Sequence, residues 1–141
     1  MHKSRWLVLA GALLLIVSAR LPWMSAPVLF GVDDPVSRAL EIGWEDNGFI
    51  TGGLGLLLVV FSFFMTGRNG TLFSILGGAC AILAGLEVAG CFVRIVEIDP
   101  PAGFLAATDV GIHLTLVGAL VALAGTMWAL LRPPVALESA T

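Results

Sequence analysis

Long apolar runs alternate along the chain with short polar connectors, and four of these runs are long enough to form helices. They cover about residues 6–24, 49–66, 72–96 and 109–131. A helix rises about 1.5 Å per residue and needs about 20 apolar residues to cross a hydrocarbon core of roughly 30 Å. The third and fourth runs meet this length, the second is short, and the first depends on Arg20 reaching the headgroups. The pattern predicts an all-α protein that forms a four-helix transmembrane bundle.

The connectors predict how the four helices are joined. Residues 67–70 are so few that the second and third helices must form a tight antiparallel hairpin. Residues 25–48 are the only sizeable segment outside the predicted spans, and we expect a small extracytoplasmic cap there. A short helix after Asp34 and a pair of short strands are both compatible with this segment. With a short tail at 132–141, the whole chain, 1–141, is predicted to be one membrane domain.

Lysine and arginine residues indicate which ends of the helices face the cytoplasm, because cytoplasmic connectors are enriched in them. If both termini are cytoplasmic, Arg20 and Arg94 belong to the outer side, and both lie at the ends of spans. The cytoplasmic side then carries Lys3, Arg5, Arg68 and Arg132. The sequence thus predicts cytoplasmic N and C termini and an outward-facing first connector.

Residues 1–19 have a second interpretation, as a secretory signal peptide. They have a basic start, an apolar centre and the small residues Val17, Ser18 and Ala19, which resemble a cleavage site. The apolar run resumes at Leu21, however. This continuation favours a first span that is retained in the protein.

Composition agrees with a membrane protein and argues against several classes of function. Hydrophobic residues make up 58% of the chain and charged residues only 12%, whereas a soluble domain has about 25% charged residues. The chain has no basic run, so we expect no nucleic-acid partner. It also has no phosphate-binding loop, zinc-protease motif or nucleophile elbow, so we predict a protein that is not an enzyme and has no cofactor.

The third predicted span carries a polar stripe. Its members recur every three or four residues and therefore share one face of a helix. They are Cys80, Ala84, Glu87, Cys91 and Arg94. A charge inside the bilayer costs at least about 2.5 kcal/mol. Glu87 therefore requires a partner, a water-filled pocket or a proton.

Other span ends bring further polar groups to the level of Glu87. We expect one outer-leaflet cluster, comprising Arg20, Glu87, Arg94, Asp109 and His113. A salt bridge from Glu87 to Arg20 or Arg94 that fixes the helix register is the more frequent arrangement, and a site that handles an ion or a proton is the alternative. A metal at His113 would need a second ligand, and His2 is predicted at the opposite face, so we predict no metal site.

Small residues recur on the third and fourth spans, and two tryptophans flank the first connector. The small residues are Gly77, Ala81, Gly85 and Ala89 at intervals of four, and Gly111, Gly118 and Gly125 at intervals of seven. Small residues let helix backbones approach closely in lipid, so these stripes predict packing within the chain or docking of a partner subunit. Trp23 and Trp44 are expected at the membrane interface.

Two short sequences carry a resemblance to a known group of proteins. Leu21-Pro22-Trp23 ends the first span, and residues 43–51, Gly-Trp-Glu-Asp-Asn-Gly-Phe-Ile-Thr, lead into Gly53-Leu54-Gly55. Both resemble segments of small four-span bacterial membrane proteins of uncharacterised function, among them the tryptophan-associated membrane proteins of actinobacteria. The resemblance implies a four-span topology and a location in the bacterial plasma membrane. It implies no catalytic residues.

These features predict a non-catalytic membrane protein, an accessory or stabilising subunit of a larger bacterial membrane complex. Its expected partners are the lipid bilayer and other membrane protein subunits, as a hetero- or homo-oligomer. The alternative is a component of a small ion or solute transporter or channel that uses the outer polar cluster. Four short spans without a broken helix argue against a transporter that acts alone.

Overall fold

Four helices account for most of the chain in the computed structural model, which describes residues 2–21, 23–25, 48–65, 69–97, 107–108 and 110–131. They are α1 (His2–Ser18), α2 (Phe49–Phe64), α3 (Gly70–Glu97) and α4 (Val110–Leu131). The chain also forms two antiparallel strands of two residues each, β1 (Met24–Ser25) and β2 (Ala107–Thr108), which pair with each other. The prediction of an all-α chain with four helices is confirmed for these ranges, apart from this small strand pair.

Two of the helices are long and apolar enough to cross a membrane. They are α4 and the part of α3 that runs from Gly70 to Cys91, each with 22 residues. The predicted cap over residues 26–47, including Trp44, and the tail at 132–141 lie outside the described residues, as do Asp109 and the side chain of Arg94.

The helices are arranged as a ring in which each one packs against two others. α1 and α3 both pack against α2 and α4. Neighbouring helices are antiparallel: Gly52 of α2 lies beside Ala19, while Gly55, one turn further on, lies beside Ala12. We call the two ends of the bundle the Trp23 end, where α1 finishes and α2 starts, and the Arg5 end.

The first helix lies closer to the N terminus than the predicted range of 6–24. α1 ends at Ser18 because the next backbone N–H groups form tighter bonds, from Arg20 to Val17 O and from Leu21 to Ser18 O. The chain then turns back on the helix that it has just left. The boundaries of α2, α3 and α4 lie within two residues of their predicted positions.

Small and hydroxyl-bearing side chains share the interior of the bundle with larger apolar ones such as Leu15 and Leu58. The buried hydroxyl residues are Ser4, Ser18, Thr51, Ser62, Ser74, Thr115 and Thr126. Most of them donate to a carbonyl three or four residues earlier in their own helix, as Ser62 does to Val59 O and Ser74 to Gly70 O. Such bonds satisfy hydroxyl groups without water.

α1 and α4 approach each other closely at glycines. A Cβ atom added to Gly11 would lie 2.6 Å from Ala122 N and 2.6 Å from Gly118 O. One added to Gly125 would lie 2.9 Å from Val8 N. Because these neighbours are backbone atoms, which cannot rotate away, the interface requires glycine at these positions.

Candidate functional site

Glu87 of α3 is hydrogen-bonded to α2 inside the bundle. Thr51 lies in the first turn of α2, is completely buried, and donates a 2.5 Å hydrogen bond to Oε2 of Glu87. Oε1 of Glu87 is also buried, and it accepts no hydrogen bond from any residue that the structure describes. Ala84 and Cys91, one turn away on either side along α3, are 0% and 1% exposed. The carboxyl group therefore lies between two closely packed layers.

Trp23 covers the interior at the end of the bundle beyond Glu87. Its side chain is 1% exposed and packs with Val88, Cys91 and Ile112. The indole Nε1 donates a 3.0 Å hydrogen bond to Ser18 O. The ring lies inside one end of the bundle because the turn after α1 directs it inward, and the expected position of Trp23 at the membrane interface stays a prediction.

The strand pair holds the two connectors beside Trp23 together. β1 begins at Met24, the residue after Trp23, and Met24 pairs with Thr108. Thr108 lies two residues before the start of α4. The segment before α4 is thereby hydrogen-bonded to the segment after α1. This pairing keeps the indole of Trp23 over the interior.

A second hydroxyl pair links α1 and α4 at the same end. Thr115 Oγ1 lies 2.9 Å from Ser18 Oγ and 2.9 Å from Gly111 O, and Ser18 Oγ donates to Leu15 O at 2.8 Å. Ser18 Oγ thus both donates and accepts, and the single hydroxyl proton of Thr115 has two acceptors within reach, Ser18 Oγ and Gly111 O. Glu87 Oε1 differs from them because no described donor reaches it.

Three members of the predicted polar cluster have described side chains, and the cluster as a whole stays a prediction. Glu87 is half-buried, whereas the side chains of Arg20 and His113 are exposed on the outside of the bundle. Asp109 and the side chain of Arg94 lie outside the described part of the chain. The hydrogen-bond partner described for Glu87 is Thr51, which the sequence analysis did not consider.

Sequence reasoning missed Thr51, although the connector contained a usable signal. Thr51 and Glu87 lie at nearly equal distances along the chain from the short connector between α2 and α3. In an antiparallel hairpin such residues come to the same level. A polar residue inside an apolar span, at the level of a carboxylate, is therefore a candidate hydrogen-bond partner.

The stripe of small residues on α3 passes from the interior to the outer surface. Gly77 lies against Thr126 and Met65, and Ala81 is buried. By contrast, Gly85 has open space where a Cβ would lie, and Ala89 is exposed. A spacing of four residues exceeds the 3.6 residues of one helical turn, so each step rotates the stripe around the helix.

The glycines of α4 all stay buried. A spacing of seven residues drifts by only about 20° around a helix, so Gly111, Gly118 and Gly125 remain on one face. Gly118 and Gly125 contact α1. This stripe thus lies within the chain's own packing.

At the Arg5 end, an arginine contacts an aromatic ring. The guanidinium carbon of Arg5 lies 4.6 Å from the ring centroid of Phe63 in α2. Such a cation–π contact holds a charged side chain against an apolar helix while its head remains near the end of the bundle. Arg5 thereby connects α1 to α2 at the end opposite to Glu87.

Among the described residues, no three histidine, cysteine, aspartate or glutamate side chains come together as metal ligands. Cys80 and Cys91 are both buried thiols. Among the described residues, the buried carboxyl group at the Trp23 end is that of Glu87, which is bonded to Thr51. Comparisons of the chain with protein-family models, with curated proteins and with solved structures find no match.

Proposed function

We propose that the protein is a four-span integral membrane protein of the bacterial plasma membrane. The observation that supports this proposal most strongly is the apolar exterior of the bundle. Large exposed hydrophobic side chains occur on every helix, such as Trp6 on α1, Phe49 on α2, Leu86 on α3 and Leu120 on α4. Only 39% and 33% of the apolar stretches of α3 and α4 are buried. A core helix of a soluble protein would be mostly buried, whereas a helix in a small membrane bundle faces lipid.

The packing of the two shorter helices supports their inclusion in the membrane. α1 and α2 have 17 and 16 residues, which is about 25 Å of helix. α1 follows α4 from the Ser18–Thr115 contact to Gly125, and α2 follows α3 from the Thr51–Glu87 bond to Gly77. Helices that are packed along their length against membrane-crossing helices cross the bilayer with them.

The orientation can be tested with reporter fusions. We place both termini in the cytoplasm, because Arg5 lies near the start of α1, and α2 and α4 end at this same end of the bundle. In the sequence, Arg68 and Arg132 come soon after these two helices. A fluorescent protein that matures only in the cytoplasm should fluoresce at either terminus, and alkaline phosphatase inserted within residues 26–47 should be active. Release of the chain from membranes by alkaline carbonate, or phosphatase activity at a terminus, would contradict the proposal.

The role that we favour within the membrane is that of an accessory subunit of a larger complex. Part of the α3 surface supports it. A Cβ atom at Gly85 or Gly90 would have nothing within 4 Å, and Ala89 beside them is exposed. Small outward-facing residues allow a second helix to approach the backbone of α3 closely.

Gly85→Leu is expected to remove co-purifying subunits without destabilising the chain itself. The leucine side chain would project into open space and keep a partner helix away from α3. The measurement is purification of the full chain in a mild detergent, with mass spectrometry of the bound subunits and a thermal melt. Gly53→Leu, at a similarly open glycine on α2, is the matched control. An unchanged set of subunits in Gly85→Leu, or a parent chain that elutes alone, would refute the accessory role.

A component of an ion or solute transporter or channel is the second candidate function. The observation that favours it is Glu87, an ionisable group within a helix of membrane-spanning length. Such groups occur along ion and proton pathways. This function requires the carboxyl group of Glu87 to exchange an ion or a proton.

A further inference from the structure

We propose that Thr51 and Glu87 form a proton-binding site, in which the Glu87 side chain carries a proton as a neutral carboxyl group within the bundle. The inference rests on the proposed membrane location. It adds a ligand and a protonation state to a part of the protein that the accessory role does not use. It is argued from the hydrogen bonds around the carboxyl group, from the charges on the neighbouring helices and from the oxygen atoms available.

The hydrogen bonds around Glu87 are too few for a carboxylate. An ionised carboxylate has about four positions that accept hydrogen bonds. The described residues fill one of them, with the hydroxyl group of Thr51 on Oε2, and leave the buried Oε1 without a donor. A neutral carboxyl group needs fewer donors, because one of its oxygens carries the proton and becomes a donor itself.

The described residues of the other three helices offer little charge to balance a carboxylate at Glu87. α2 contains no titratable residue between Phe49 and Phe64. The titratable residue of α4 is His113, whose side chain points to the outside of the bundle. On α1, Lys3 and Arg5 lie at the opposite end, and the Arg20 side chain is exposed. In a bilayer, a proton is then the simplest means to neutralise Glu87.

The available oxygen atoms fit a proton better than a metal cation. Cations such as Ca²⁺ take about six to eight oxygen ligands. In the described part of the chain, the site offers the two carboxyl oxygens of Glu87 and the hydroxyl oxygen of Thr51. Because Thr51 donates to Oε2, that atom takes the role of the carbonyl oxygen, and the proton resides on Oε1.

Infrared spectroscopy of the full chain in lipid vesicles tests the proposal. At about pH 7, exposed Asp and Glu side chains are ionised, since their ordinary pKa values are about 4. We expect the wild-type spectrum to contain one protonated-carboxyl C=O band that shifts in D₂O and is lost in Glu87→Gln. If the spectra of the wild type and Glu87→Gln differ in the carboxylate stretching region instead, the proposal is overturned.

Thr51→Val is the second variant, and it keeps the carboxyl group in place. Removal of the hydroxyl donor should move the C=O band to a higher wavenumber, because the carbonyl oxygen loses its hydrogen bond. A band that does not move would exclude Thr51 from the site. This readout also serves if Glu87→Gln does not fold.

Two controls separate the alternatives. Addition of Na⁺ should leave the band unchanged, and loss of the band on addition of Na⁺ would show a cation site and overturn the proposal. Flotation of the protein with the lipid vesicles, together with the reporter fusions, measures membrane insertion of the same chain. A chain that inserts correctly but shows an ionised Glu87 would therefore refute this inference while leaving the four-span proposal intact.

Discussion

Gly11→Ala is expected to separate α1 from α4 and to lower the free energy of unfolding by about 1–3 kcal/mol or more. The new methyl carbon would lie 2.6 Å from both Ala122 N and Gly118 O, which are backbone atoms of α4. No side-chain rotation relieves such a contact, so one helix must shift along its whole length. That shift would also disturb the Ser18–Thr115 hydroxyl pair near the other end of the interface.

The matched control for this prediction is Gly85→Ala. The chemical change is the same, but a Cβ atom at Gly85 meets nothing within 4 Å. Alanine has a higher helix propensity than glycine by about 1 kcal/mol, so the control should be neutral or slightly more stable. Titration of the purified protein with a denaturing detergent, followed by circular dichroism, measures both variants. Equal effects of the two substitutions would show that close backbone contact between α1 and α4 does not determine stability.

Trp23→Ala is expected to lower the free energy of unfolding by about 3–5 kcal/mol, the range for large aromatic side chains removed from a packed interior. The indole is 1% exposed and packs against Val88, Cys91 and Ile112. Its loss would leave a cavity over the interior at the level of Glu87 and would remove the hydrogen bond to Ser18 O.

Two further variants separate the contributions to this effect. Trp23→Phe keeps an aromatic ring in place but removes the indole N–H, and should cost about 1 kcal/mol for the hydrogen bond together with a smaller packing loss. Trp6→Ala removes an indole that is 68% exposed and should change stability by about 0.5 kcal/mol or less. The same detergent titration measures all three variants. If Trp6→Ala proves as destabilising as Trp23→Ala, the interior packing of Trp23 is not the cause.

Hydropathy predicted the helices well because the lengths of the apolar runs determine where each helix can lie. The boundaries of α2, α3 and α4 follow from their polar flanks, and the short connector after α2 predicted the hairpin with α3. The face of α3 that contains Cys80, Ala84 and Cys91 follows from helical periodicity, and these residues are buried. Local spacing was sufficient for these features.

The partner of Glu87 could not be read from the same pattern. Apart from Thr51 and Ser62, α2 consists of apolar residues and glycines, so a hydropathy profile does not indicate which face turns inward, and Thr51 received no weight. The end of α1 was also misplaced. The apolar residues up to Met24 resemble a continuing helix, but Trp23 is apolar because it folds back into the bundle. In both cases the deciding contact is between residues that lie on different helices or beyond a turn.

The contact between α1 and α4 has a consequence for the biogenesis of the protein. Of the four helices, the ribosome completes α1 first and α4 last, yet the Gly11 surface of α1 lies against Gly118 and Ala122 of α4. In the membrane location that we propose, lipid would cover that surface until α4 emerges, and the hairpin of α2 and α3 would wait with one side unfilled. Assembly of the ring would then be a late step that follows insertion, and a chain that stops before Val110 would present an unfinished bundle to membrane quality-control proteases.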